Sequence, residues 1–170
     1  EAGAVSGHYA ISEWLEEKGG ATALLPSSGL ARAEVRRLSA WFDDKFYAEV
    51  GRLITYEKID RRFMGADDGG GGPDMATVRV GLHNLDLHLE YLTYLLQTRD
   101  WLAGGELSLA DFAAAAHLSC LDYTGDVPWK LWPVVRDFYA RIKSRPSFRP
   151  LLADHVAGMR PPPYYADLDF

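Results

Sequence analysis

The sequence predicts a mainly α-helical protein, and two patterns support that prediction. Apolar residues recur every three or four positions through most of the chain, which is the period of an amphipathic helix. Glycine and proline cluster in a few short stretches between these periodic segments, where they end helices. The chain has 170 residues, 48% of them hydrophobic, so it can form one or two compact domains with a sizeable core.

The first two predicted helices differ in length. A short amphipathic helix covers residues 10–18, with Ile11, Trp14 and Leu15 on one side. The sequence GGATALLPSSG then breaks the pattern, and a long helix follows over residues 31–63. Its apolar stripe consists of Val35, Leu38, Phe42, Phe46, Val50 and Leu53. A stripe of this length predicts a helix that is packed along most of one face.

The sequence GADDGGGGPD, at residues 65–74, is the clearest loop. Four consecutive glycines lose much conformational entropy on ordering. A phosphate-binding loop would end in Gly-Lys-Ser/Thr, which is absent here, and Pro73 has no amide to donate. The composition therefore favours a flexible connector.

The next helix, over residues 74–98, carries two apolar strips. The first keeps a strict 4-3-4-3-4 spacing: Val78, Leu82, Leu85, Leu89, Leu92 and Leu96. This spacing predicts an antiparallel pair with the preceding long helix. Leu87, Tyr91 and Tyr94 form the second strip, so we expect the helix to be central or to lie at an interface.

The sequence GELSLADF begins a helix with a capping box. Ser108 is the predicted N-cap, and Asp111 can accept a hydrogen bond from its amide. Leu107 and Phe112 occupy the positions of a hydrophobic staple. A helix rich in alanine follows, then a helix with Pro133 in its first turn, and then a short helical piece after Pro146.

Composition and spacing exclude several classes of function. The net charge of −6 gives no support for nucleic-acid binding. The five histidines and one cysteine have no zinc-ligand spacing, and no nucleophile motif is present, so we expect no metal and no catalytic residue. Cys120 lies in an apolar stretch and is expected to be a buried filler. No apolar run approaches the roughly 20 residues of a membrane span.

A basic stretch, RIKSRPSFR, covers residues 141–149 without an acidic residue. Its cations are Arg141, Lys143, Arg145 and Arg149. They are expected either to form a solvated face near the end of a helix, where cations suit the dipole, or to form a docking patch for an acidic partner.

The chain ends in PPPYYADLDF, within a C-terminal tail predicted at residues 156–170. The prolines are expected to hold the tail extended and away from the body. The residues expected to bind a partner are Tyr164, Tyr165, Asp167, Leu168, Asp169 and Phe170. A tail that folds back on its own domain is the alternative. A chain ending at Arg160 is expected to keep its fold.

The order of elements resembles the glutathione transferase family. The stretches that carry the resemblance are AISEWLEE, then LLP and RAEVRRLSAWFDDKF, then the helix pair and WLAGGELSLADFAAA. The resemblance implies that residues 1–22 are the end of a thioredoxin-like domain, with residues 4–6 as its last strand and residues 9–18 as its last helix. Residues 23–155 would then form the all-α C-terminal domain of that fold.

The same resemblance places the family's glutathione-binding pair, Gln-Ser or Glu-Ser, at Gly7 and His8. Gly7 has no side chain to donate or accept a hydrogen bond, and His8 lacks the small hydroxyl that suits a carboxylate at a helix N-terminus. The catalytic residue of the family lies in a region that this sequence does not contain. We therefore expect no glutathione cofactor and no enzyme activity.

Three further stretches, SCLDYTGDVPW, KSRPSFRPLLAD and YADLDF, are similar to a group of FtsZ-localised, transferase-fold proteins of bacterial cell division. This similarity implies a cytoplasmic adaptor at the division site that binds FtsZ polymers and links them to cell-wall synthesis. It also implies a homodimer. A glutathione-dependent transferase or dehalogenase is the main alternative, and a purely structural dimerisation module built on the helix pair is a third.

Overall fold

The computed structural model describes residues 3–19 and 23–168, and this part of the chain is mainly helical, as predicted. Helices α1 and α2 span His8–Lys18 and Gly29–Ala40, and a π-helix, Trp41–Gly51, joins α2 directly to α3, Arg52–Lys58. The remaining helices are α4 (Met75–Leu96), α5 (Leu109–Tyr123), α6 (Pro133–Lys143) and α7 (Arg149–Leu152). Short 3-10 turns cover Asp60–Phe63, Ala66–Asp68, Trp129–Leu131 and Pro163–Ala166.

The strand expected at residues 4–6 does not form. The described residues contain no β-strand, only an isolated bridge between Trp101 and Gly104. A strand needs a neighbouring strand to bond its amides and carbonyls, and no described segment offers one. Helix α1 does form and begins at His8, two residues before the start that the periodicity predicts and one before the start that the resemblance implies. That residues 1–22 end a thioredoxin-like domain stays a prediction.

The long helix formed by α2, the π-helix and α3 packs along the hydrophobic core. Its buried stripe consists of Val35, Leu38, Phe42, Phe46, Val50 and Ile54. The prediction placed Leu53 in this stripe, but Ile54 is the buried residue. The π-helix has i→i+5 hydrogen bonds and so more residues per turn than an α-helix. Residues spaced by four, from Leu38 to Ile54, therefore stay on the buried face of the helix.

Helix α4 packs against α3 and the π-helix, as the predicted helix pair requires. Gly81 permits the close approach, because a Cβ at this position would lie 2.8 Å from Cγ1 of Ile54. The second strip of α4 is not covered by the described part of the chain: Leu87 is 55% exposed and Tyr94 is 66% exposed. Tyr91 is half-buried, and its hydroxyl accepts a hydrogen bond from Arg37.

Helix α5 lies at the centre of the helical domain. Ala110, Ala114 and Ala115 are fully buried, and α5 packs against α2, the π-helix and α6. Small side chains allow the neighbouring helices to approach it on several sides, as the alanine-rich sequence indicates. This position places the polar residues of α5 in the core, where each needs a hydrogen-bond partner.

The glycine-rich segment connects α3 to α4 through a bonded turn. The amide of Gly70 donates to the carbonyl of Gly65 at 2.9 Å, and Arg61 Nε donates to the carbonyl of Gly69 at 2.9 Å. Glu57 Oε2 accepts from the amide of Asp74 at 2.7 Å, next to the start of α4. No helix in residues 3–19 or 23–168 is long and apolar enough to cross a membrane.

Substituting Gly81→Ala tests the close helix contact. We expect it to lower the free energy of unfolding by about 1–2 kcal/mol, because the strain of the added Cβ exceeds the gain in helix propensity. Urea denaturation followed by circular dichroism measures this change. Gly29→Ala is the matched control, since a Cβ at that helical position meets nothing within 4 Å. Equal stability of the two variants would contradict the contact.

Candidate functional site

The C-terminal segment, residues 156–168, lies on the body of the protein. Tyr165 is only 4% exposed, and its hydroxyl lies 3.1 Å from Ser119 Oγ. Its ring packs edge-on against Tyr123, with the ring centroids 5.1 Å apart. The expectation that the prolines hold the whole segment away from the body is therefore wrong at Tyr165. The three prolines instead lead into the turn that inserts this ring.

The segment is also bonded before the prolines. The Tyr123 hydroxyl accepts from the amide of Val156 at 2.9 Å and donates to the carbonyl of Met159 at 3.0 Å. Arg62 Nη2 donates to the carbonyl of Gly158 at 2.8 Å. These bonds join the segment to α5 and to the 3-10 turn Asp60–Phe63 that follows α3. The path of residues 156–165 is thus defined by the body.

The end of the segment is more open. Asp167 is exposed and Leu168 is half-buried. Tyr164 is half-buried and packs against the hydrophobic core. Asp169 and Phe170, which complete the predicted partner-binding tail, lie outside the described residues. After the buried Tyr165, the described part of the segment thus has Ala166 and Asp167 exposed to solvent.

Lys143, predicted as part of a basic docking patch, is fully buried instead. Its ammonium lies 3.5 Å from Asp122 Oδ2 and donates to the carbonyl of Tyr164 at 3.1 Å. Both Lys143 and Asp122 are 0% exposed. A lysine can be buried only where such partners replace water, and the local sequence does not show them.

The other cations of the predicted patch have different surroundings. The Arg141 guanidinium stacks on the Trp101 ring at 3.7 Å and donates to the carbonyl of Asp100 at 2.8 Å. Arg145 is half-buried and Arg149 is exposed. A continuous patch of four cations is therefore absent, while a docking role for Arg145 and Arg149 stays a prediction.

Burial acts on both members of the Asp122–Lys143 pair. It raises the pKa of the Asp122 carboxyl, against the opposing effect of bonds from Trp129 and Lys143. It lowers the pKa of Lys143, against the opposing charge of Asp122. Each charge thus offsets the desolvation of the other, and removing one would leave its partner buried and uncompensated.

Gly7 and His8 are the residues predicted to match the family's glutathione-binding pair. Gly7 has φ 88°, a conformation that favours glycine, and it offers no side-chain bond to α1. His8 is exposed, and its Nε2 lies 3.1 Å from Asp43 Oδ2. The same carboxylate oxygen accepts from the Tyr9 hydroxyl at 2.9 Å. His8 therefore faces a carboxylate of the helical domain.

Asp43 is a residue of this site that the sequence analysis missed. Its second oxygen, Oδ1, lies 3.1 Å from His117 Nε2 on α5. Burial, and then the hydrogen bond to Asp43, raise the pKa of Tyr9 to about 12, so the phenol stays protonated. The three contacts span up to 74 residues of sequence, and no local pattern indicates such a cluster.

The predicted capping box is present at the start of α5. Asp111 Oδ2 accepts from the amide and the hydroxyl of Ser108, both at 2.8 Å, and Oδ1 accepts from the amide of Leu102 at 2.8 Å. The bond to Leu102, which the motif does not predict, joins the box to the preceding turn. Burial raises the pKa of Asp111 despite these bonds.

Cys120 is exposed, which corrects the expectation of a buried filler. Cys120 and Ala116 are four residues apart on one face of α5, and both are exposed. The surrounding protein still raises the pKa of the Cys120 thiol by desolvation, which disfavours the reactive thiolate. No His, Cys, Asp and Glu group among residues 3–19 and 23–168 is arranged to hold a metal ion.

Comparison with known proteins gives consistent matches. The glutathione S-transferase C-terminal domain family matches residues 64–146. FtsZ-localized protein A of Caulobacter vibrioides is 50% identical over 161 residues, which cover 95% of this chain and 69% of that protein. The solved structure of FzlA from C. crescentus aligns with a TM-score of 0.89 over 95% of this chain and 70% of the other.

A second solved structure carries a different description. It is a glutathione S-transferase from Sinorhizobium meliloti 1021, which is 45% identical and aligns with a TM-score of 0.91. The match covers 97% of this chain and 73% of that one. The helical fold is thus shared by a protein named FzlA and by a protein named as a glutathione S-transferase.

Two truncations test how the C-terminal segment is held. A chain ending at Arg160 loses the buried Tyr165 ring, so we expect its melting temperature to fall by roughly 6–12 °C. A chain ending at Ala166 keeps this ring and is expected to melt within about 2 °C of the full chain. Differential scanning calorimetry measures both. Equal melting temperatures of the full chain and the Arg160 truncation would show that the segment adds no stability.

Proposed function

This chain belongs to the glutathione S-transferase superfamily, in the group of FtsZ-localized protein A, and on that basis we propose that it is a non-enzymatic adaptor of bacterial cell division. It binds FtsZ polymers in the cytoplasm at the division site and links them to cell-wall synthesis. The observation that carries this proposal is the 50% identity to FtsZ-localized protein A over 95% of the chain.

The surroundings of Gly7 and His8 support the absence of glutathione chemistry. In the transferase family, the pair at these positions holds the glutamyl end of glutathione. Here the nearby carboxylate of Asp43, bonded by His8 and Tyr9, would repel the carboxylate of a glutamyl group. The positive φ of Gly7 also disfavours any side chain at this position. No glutathione cofactor is part of the proposal.

The end of the C-terminal segment is the proposed partner-binding element. Tyr165 is used inside the fold, so the residues proposed to contact FtsZ, or a cell-wall synthesis protein, are Tyr164, Asp167, Leu168, Asp169 and Phe170. The bonds that define residues 156–165 remove conformational freedom before binding, which lowers the entropy lost on association. Asp167 would set orientation, and the apolar residues would supply anchors.

A homodimer is also proposed. Val80, Leu87 and Tyr94 lie seven residues apart on α4 and are all exposed, which makes an apolar strip on the outer face of the helix pair. An exposed strip of this kind is typical of a protein–protein contact. A purely structural dimerisation module would use the same strip but would not bind FtsZ.

Co-sedimentation with FtsZ polymers tests the proposed function. We expect the full chain to sediment with polymers and the chain ending at Ala166 to bind about tenfold more weakly, because it lacks the end of the segment but keeps the fold. Failure of the full chain to sediment would refute FtsZ binding. Equal binding of both chains would instead place the FtsZ contact on the body.

The paired substitution Arg145→Glu and Arg149→Glu tests the remaining basic residues on the same polymers. If these cations meet an acidic surface, the double variant binds several-fold more weakly and loses most of its salt dependence. Substituting the exposed Lys18→Glu and Arg52→Glu together is the control, because this pair changes the net charge by the same amount. Unchanged binding of the double variant would remove the docking role of Arg145 and Arg149.

A glutathione-dependent transferase or dehalogenase is the second candidate, because a protein described as a glutathione S-transferase is 45% identical. Conjugation of an aryl halide with glutathione distinguishes the two. We expect no rate above that of the uncatalysed reaction, given the surroundings of Gly7 and His8. A glutathione-dependent rate proportional to protein concentration would establish the enzyme.

A further inference from the structure

The buried Asp122–Lys143 pair connects four separate elements. Asp122 lies on α5 and Lys143 ends α6. Asp122 Oδ1 accepts from the indole Nε1 of Trp129 at 2.7 Å, and Lys143 donates to the carbonyl of Tyr164. The pair thus joins α5, α6, the Trp129–Leu131 turn and the C-terminal segment. Two charges at 0% exposure are costly to bury, so their bonds determine how these elements can be arranged.

Lys143 makes more than one contact with the C-terminal segment. Besides its bond to the Tyr164 carbonyl, its ammonium lies 5.8 Å from the centroid of the Tyr165 ring and 5.5 Å from that of Tyr139. Ring faces attract cations at such distances, and the attraction is larger where water is excluded. The buried cation therefore holds the backbone of Tyr164 and the ring of Tyr165 at the same time.

An open groove lies where these elements meet. It has a volume of about 620 Å³ and its lining is mostly apolar. Val127, Pro128, Trp129 and Leu131 form one side, and Tyr164 and Asp167 of the C-terminal segment form the other. Leu131 is 73% exposed. The two hydrogen bonds of the Asp122–Lys143 pair, to Trp129 and to Tyr164, thus hold the two walls in position.

The charges at the groove indicate what it can bind. Lys130 and Arg136 also line it, and Lys130 is exposed. Arg136 pairs with the exposed Asp137 at 2.8 Å, a surface contact that costs little to exchange for another carboxylate. Asp167 lies close enough for its charge to act on Lys143. An apolar groove flanked by cations fits a short segment in which an apolar side chain stands beside a carboxylate.

We infer that Lys143 is a positioning residue that fixes the C-terminal segment on the body. The groove that it completes lies between the Trp129–Leu131 turn and Tyr164–Asp167. This groove receives an acidic, apolar segment of the FtsZ partner. This inference rests on the proposed function for the identity of the partner. The partner then contacts a composite surface, in which the segment supplies one wall and the 3-10 turn supplies the other.

Hydrogen exchange, followed by mass spectrometry on the intact protein, tests the positioning role. We expect Lys143→Met to speed exchange in residues 159–168 by about tenfold or more. Arg99→Met is the matched control, because Arg99 also bonds one carboxylate, Glu34, and one backbone carbonyl, that of Leu102, but none of the segment. Equal effects of the two variants in residues 159–168 would overturn the role of Lys143.

Asp122→Asn is the second variant, for the case that Lys143→Met does not fold. It keeps an acceptor for the Trp129 indole but removes the charge that offsets Lys143, so it should also speed exchange in residues 159–168. An unchanged rate in this variant would likewise refute the positioning role.

Co-sedimentation with FtsZ polymers tests the groove. Leu131→Asp and Lys130→Glu change exposed groove residues, so we expect each to weaken binding about tenfold without changing the melting temperature. Leu30→Asp is the control, because Leu30 is also a highly exposed leucine, 86% exposed, but lies on α2 and does not line the groove. If both groove variants bind polymers as well as the control does, the groove is not the binding site of the partner.

The two experiments separate the inference from the proposed function. If the unchanged protein does not sediment with FtsZ polymers, the proposed function fails and the groove loses its assigned partner. The exchange experiment still decides whether Lys143 holds the segment. If the unchanged protein sediments and the groove variants do so equally well, only the inference about the groove fails.

Discussion

The buried Asp122–Lys143 pair is the interaction on which the arrangement of the C-terminal half depends. Removing a carboxylate and an ammonium from water costs several kcal/mol per ion, by rough estimate, unless their bonds replace the lost hydration. Here those bonds come from Trp129 and the Tyr164 carbonyl. The turn after α5 and the C-terminal segment must therefore lie where they do for the core charges to be satisfied.

Because of this constraint, the C-terminal segment is partly a structural element of the domain. Proline residues followed by acidic and apolar residues are typical of a free arm. Here the first part of this stretch, up to Tyr165, is packed into the fold. Tyr165 inserts its ring beside Tyr123, and the exposed Asp167 follows two residues later. The fixed start places Tyr164 and Asp167 beside the Trp129–Leu131 turn, so a partner bound there would contact both elements.

The sequence predicted the features that arise from local periodicity and local chemistry, including the helix pair and the Ser108–Asp111 box. It placed Leu53 rather than Ile54 in the core, because an α-helical period was assumed where a π-helix forms. The burial of Lys143 could not be predicted, since its partners Asp122 and Tyr164 each lie 21 residues away. Asp43 was missed for the same reason: its contacts with His8 and His117 join distant parts of the chain.

The proposed partner surface is built jointly by the C-terminal segment and the Trp129–Leu131 turn. Its decisive test is hydrogen exchange of the intact protein, with and without FtsZ polymers. We expect the polymers to slow exchange in residues 127–131 and in residues 164–168 together. Protection confined to other parts of the protein, with both of these stretches unchanged, would contradict it.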